Sequence, residues 1–132
     1  MITKSLTQYV YSILFLSLYL YIMKYLITDS QLDRAVFVYL RNQDFIQIEE
    51  GNNIYFVNSE GDEHAQIRYS KDNNWGYINH DLIEEITPFF SLEETDSELV
   101  IGRWVENTLQ MRVNNTLILR RTGLVLLRIP NN

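Results

Sequence analysis

Nineteen consecutive residues from Ser5 to Met23 carry no charge, with Lys4 before them and Lys24 after. A run of this length is a candidate transmembrane helix, since about 20 apolar residues suffice to cross the hydrocarbon core. Lysines at both ends leave the charge rule nothing with which to orient a span. No small-x-small cleavage pattern follows, so a secretory leader fits poorly. Tyr9, Tyr11, Tyr19 and Tyr21 lie along the run rather than at its two ends, where interfacial aromatics gather. Three readings of residues 1–22 therefore stand side by side. They are a membrane anchor, a helix buried in an assembly, or an extension upstream of a true start at Met23.

From Met23 to Asn132 the pattern is that of one folded domain. Lys24–Ile27 reads as a short strand. Thr28-Asp29-Ser30-Gln31 has the form of a capping box, in which Thr28 accepts from a helical N–H and Gln31 reaches back. Leu32, Ala35, Val36, Tyr39 and Leu40 then make a single apolar stripe, predicting a helix from about Asp29 to Arg41 that lies across a sheet. Phe45–Glu49, Ile54–Asn58, Ala65–Tyr69 and Trp75–Ile78 read as strands separated by turn-rich segments at Gly51-Asn52-Asn53, Ser59–Asp62 and Lys71–Asn74. Their spacing suggests an antiparallel meander.

Asp81-Leu82-Ile83-Glu84 opens a second helix that Pro88 interrupts or ends, with Phe89, Phe90 and Leu92 expected to plug the core. Thr95-Asp96-Ser97-Glu98 repeats the capping-box form before a stripe of Ile101, Trp104, Val105, Thr108 and Leu109. Gly102 within that stripe costs about 1 kcal/mol relative to alanine, which implies close approach of another backbone. Leu117–Leu119 and Leu124–Ile129, joined by Arg120–Gly123, read as a terminal hairpin. The expected fold class is α+β: a small antiparallel sheet of four to six strands with two main helices on one face.

Composition narrows the chemistry. The chain has no cysteine, which excludes a disulfide framework, a thiolate metal site and a cysteine nucleophile. Neither a G-x-S-x-G elbow nor a glycine-rich phosphate loop is present, and no cofactor is implied. All 17 acids fall between Asp29 and Glu106, where only five bases accompany them; the net charge is −6. That balance argues against duplex DNA, whose phosphates call for clustered lysine and arginine. It favours a protein partner with a basic surface.

Residues from Asn107 onward carry Arg112, Arg120, Arg121 and Arg128 and no acid. They are candidate binding residues for an acidic partner or single-stranded nucleic acid, although their alternation with Leu and Ile also suits outward strand positions. Trp75 and Tyr77 are candidates for a binding pocket, with core packing the competing use. Asp62, His64 and His80 are weak candidates for a divalent metal, aided by Glu63 and Asp81, but no ligand-spacing motif accompanies them. The acid pairs Glu49-Glu50, Glu84-Glu85 and Glu93-Glu94 are chain neighbours, which diverge rather than converge on a cleft. Asn114-Asn115-Thr116 has the glycosylation form and is read as a turn.

Met23-Lys24-Tyr25-Leu26-Ile27-Thr28-Asp29-Ser30-Gln31-Leu32 resembles the opening of a group of small proteins from tailed bacteriophages and environmental viral genomes, of the pattern M-K-[YI]-[IL]-I-T-[ED]-S-Q. The segments Ile101–Gln110 and Leu127–Pro130 are similar to the same group. The resemblance implies a start at Met23; it points to no particular activity, since the group has none assigned. The resulting expectation is a non-enzymatic phage or mobile-element accessory protein of the host-cell cytoplasm that binds another protein. The alternative is a membrane-anchored protein with a small partner-binding domain.

Overall fold

The computed structural model describes the backbone of residues 2–26 and 29–126, and the side chains of 6–19, 30–120 and 122–126. It divides into two compact units, residues 1–32 and 33–132. The first contains one long helix, α1 (Ile2–Leu26). Lys24–Leu26 are thus the last turn of α1 rather than the expected strand; Ile27 lies outside the described residues. Among the described residues, no helix is long and apolar enough to cross a membrane.

α2 (Asp29–Asn42) runs from the first unit into the second. Its stripe is realised in part: Val36 and Leu40 are fully buried and Leu32 and Tyr39 half-buried, but Ala35 is exposed. The chain leaves it through Asp44, which takes positive φ, and enters β1 (Ile46–Glu50). β2 (Asn53–Val57), β3 (Ile67–Ser70) and β4 (Trp75–Asn79) follow in an antiparallel meander. α3 (His80–Phe89) and α4 (Glu94–Leu109) then cross over, and β5 (Asn115–Leu119) pairs with β4 in parallel. The sheet order is β1-β2-β3-β4-β5. The fold is α+β, with a five-stranded, mostly antiparallel sheet.

The two faces of the sheet follow from period two. Across β2, β3, β4 and β5, the register aligns Phe56, Ile67, Ile78 and Ile118 in one row and Ile54, Tyr69, Gly76 and Thr116 in the next. These rows face the helices. Trp104 of α4 stacks 5.2 Å from Phe56 and 5.8 Å from Phe45, centroid to centroid. On the opposite face Tyr55, Val57, Ala65, Leu124 and Leu126 form a second, smaller core, fringed by Ile46, Ile48, Tyr77 and Leu119.

That second core overturns the expected terminal hairpin. After β5 the chain makes a 3-10 turn, Arg121–Leu124, and folds back under the sheet. Val125 bridges His64, and the Leu126 N–H donates to Glu63 O at 2.9 Å. Leu124 packs with Tyr55 and Val57 in that second core instead of pairing with Leu119. The continuation to Ile129 lies outside the described residues.

Helix ends differ from expectation in two places. α3 is capped by Asn79, one residue before the helix: its Oδ1 accepts from Asp81 N at 3.0 Å while its Nδ2 donates to Ala65 O at 3.1 Å. α4 starts at Glu94 after Glu93, with no side-chain cap. The expected box from Thr95 does not form. Its Ser97 is fully buried and instead hydrogen-bonds Thr87 at 2.8 Å, tying α4 to α3. Pro88 sits in the final turn of α3, where it removes the N–H that would donate to the Glu84 carbonyl, and the helix ends one residue later at Phe89. Phe90 and Leu92 are half-buried, but Phe89 is 67% exposed and packs with Tyr39 and Phe90 at the rim rather than plugging the core.

Candidate functional site

The polar end of the β2–β3 connection meets the start of α3. Together they line an open depression of about 410 Å³ that includes Asn58, Asp62, Glu63, His64, Gln66 and Asp81. Asp62 and His64 are thus brought beside Asp81, as the sequence suggested; His80 is not on that lining. Both oxygens of Asp62 are used locally, accepting from Ser59 N and Ser59 Oγ at 3.0 Å each. His80 turns the other way, placing Nδ1 3.4 Å from Glu84 Oε1 one helical turn on. The trio that gathers is therefore His80, Asp81 and Glu84, each offering a donor atom within 4.8 Å of the others. Its signal is the i,i+4 spacing of His80 and Glu84, whereas the sequence reading places Glu84 in a helix start and beside Glu85, not with His80. One imidazole and two carboxylates suit a hard-to-borderline divalent cation. All three lie near solvent, where the same groups serve equally as a solvated helix start.

Trp75 and Tyr77 lie on the sheet face opposite the helices, with ring centroids 6.2 Å apart. Arg68 on β3, directly across from Tyr77, lays its guanidinium 4.3 Å over that ring. Tyr77 also edges the second core, so the pair is half packing and half surface. Arg68 was missed by sequence reading, since only the strand register places it beside Tyr77. Trp104 is wholly a core residue of the helix side.

The basic residues do not form the expected hairpin patch. Arg112 is exposed before β5, its carbonyl 2.9 Å from the Tyr69 hydroxyl, which lies equally near Asn74 Oδ1. Arg120 is exposed after β5 and precedes the 3-10 turn. Strand β5 holds them at its opposite ends. The Arg121 side chain and all of Arg128 lie outside the described residues. The glycosylation-form triplet is no turn: Asn115 and Thr116 open β5.

Acid is concentrated on the helical layer. From Asp81 to Glu106, α3, α4 and their connection carry Asp81, Glu84, Glu85, Glu93, Glu94, Asp96, Glu98 and Glu106, of which all but the half-buried Glu98 are exposed. Arg103 is the single Lys or Arg of the stretch, and its guanidinium is held on Asp33 of α2 by two hydrogen bonds of 2.8 Å. Two tyrosines feel this layer. Burial, followed by a hydrogen bond to Glu85, pushes the Tyr39 hydroxyl up to about 12. Burial and the charge of Glu106 raise that of Tyr69. No constellation of nucleophile, base and oxyanion donors accompanies these acids among the described residues.

Compared with protein-family models, with curated proteins and with solved structures, the chain matches none.

Proposed function

We propose that the protein is a non-catalytic accessory protein, of the kind encoded by phages and mobile elements, that acts by binding a basic segment of another protein. One observation carries this reading. α3, α4 and their connection expose seven carboxylates, while the lone arginine among them is engaged by Asp33. Charge of one sign on a rigid layer steers and orients an oppositely charged partner more than it adds raw affinity. The phage-like opening at Met23–Leu32 supports the accessory role, and the host-cell cytoplasm is the corresponding place of action.

The test is a titration of a fluorescein-labelled lysine- and arginine-rich peptide into the whole protein, followed by anisotropy at low and physiological salt. Saturable binding that weakens with salt is expected. Neutralising three exposed acids together (Glu93→Gln, Glu94→Gln, Asp96→Asn) should weaken it about tenfold, at roughly 0.5 kcal/mol per exposed charge. Equal affinity for the neutralised variant, or no binding at low salt, refutes the proposal.

A further inference from the structure

From Leu6 to Tyr19, α1 carries ten large apolar side chains that are between 49% and 73% exposed. At on the order of 100 Å² of exposed area each, they offer about 1,000 Å², against roughly 800 Å² per partner in a stable protein–protein interface. Leaving that area in water forfeits the main favourable term of folding and association. Something must cover it.

The spacing selects the cover. At 100° per residue, Leu6, Tyr9, Ile13 and Leu16 fall in one row with steps of three, four and three, the a/d pattern of helix-on-helix packing. Tyr11, Phe15 and Leu18 fall in a second row with steps of four and three on the opposite side of the helix. Gln8 and Ser12 share a third, exposed stripe between the two, and exposed Val10 and Leu14 fill the opposite flank. Two knob-bearing rows with a polar stripe between them suit a helix flanked by helices, its polar stripe open to water. A hydrocarbon surround would strand the Gln8 amide and Ser12 hydroxyl away from water and raise their cost.

We infer that α1 is a self-association helix: copies of this chain assemble through the Leu6–Tyr9–Ile13–Leu16 and Tyr11–Phe15–Leu18 rows. The occupant is a second copy of α1, which presents the same rows by construction. This is independent of the acidic layer, so either proposal stands or falls without the other.

The experiment is sedimentation equilibrium of the whole chain in detergent-free buffer, over a range of concentrations. A mass at least twice the 15.7 kDa of one chain is expected. Replacing two residues of each row with a good helix former (Ile13→Gln, Leu16→Gln, Phe15→Gln, Leu18→Gln) should return the mass to one chain, while Gln8→Ala on the polar stripe should leave the assembly intact. The same samples are floated with phosphatidylcholine–phosphatidylglycerol vesicles, and the wild type should stay in the aqueous fraction. A monomeric wild type, an assembly that survives the fourfold substitution, or quantitative flotation with lipid would each overturn the inference.

Discussion

Thr116 of β5 points its methyl group between Gly102 of α4 and Gly76 of β4. A Cβ on Gly102 would stand 2.9 Å from Thr116 Cγ2, and one on Gly76 would stand 3.6 Å away. Gly102→Ala therefore sets two effects against each other. In a helix interior alanine is worth about 1 kcal/mol over glycine. A methyl forced into a 2.9 Å contact costs about 1–3 kcal/mol. Thr116 cannot simply swing aside. It is β-branched, hence stiff at χ1, and its hydroxyl donates to Glu98 Oε1 at 2.8 Å, an interaction worth about 0.5–1.5 kcal/mol. The clash wins, and the net expectation is a loss of about 1 kcal/mol.

Thr116→Ser removes only the offending methyl and keeps the hydroxyl. In that background Gly102→Ala should stabilise by about 1 kcal/mol, giving a coupling of about 2 kcal/mol across the cycle. Equilibrium urea unfolding, followed by tryptophan fluorescence, reads these as midpoint shifts of about 0.5 M in opposite directions. Stabilisation by Gly102→Ala in the wild-type background, or additivity across the cycle, would refute the packing argument.

Other outcomes follow from single residues. Asn79 is 1% exposed and both caps α3 and holds Ala65 O; Asn79→Ala should cost about 2–4 kcal/mol in the same urea assay, from the lost cap and a stranded carbonyl. Tyr39 should be among the last tyrosines to ionise in a spectrophotometric titration, with a midpoint about 12, and Glu85→Gln should lower it. Because its folded value is raised above the ordinary 10, the stability it contributes is complete below pH 10 and falls as pH rises toward 12; Tyr39→Phe should flatten that fall. Asp33→Asn should cost no more than about 1 kcal/mol, since the Arg103 end of the pair is solvent-exposed.

Local signals were legible where they were strong. The α2 stripe and the four-strand meander follow from periodicity and turn chemistry, and both stand within a residue or two of expectation. Lys24–Leu26 was misread because a short apolar run fits a strand or the end of a helix equally well, and only the continuous helix before it decides. Leu117–Leu119 was rightly a strand but wrongly paired. Alternation gives a strand its faces and says nothing about its partner. Of the candidate site, Asp62, His64 and Asp81 line one open depression, whereas the donor atoms that converge belong to His80, Asp81 and Glu84, a grouping that the one-turn spacing on α3 sets. Arg68 over Tyr77 needed the cross-strand register, which no local pattern encodes.

The parallel seam between β4 and β5 also fixes an order of events. β1 to β4 pair with close neighbours, whereas Trp75 finds Asn115 only across about forty intervening positions. A nascent chain can complete the meander while its last strand is still inside the ribosome. Until then the open border of β4 and the apolar floor beneath Tyr55 and Val57 face the cell unshielded. Residues 115–126 close both at once, so substitutions there should show first as aggregation during synthesis.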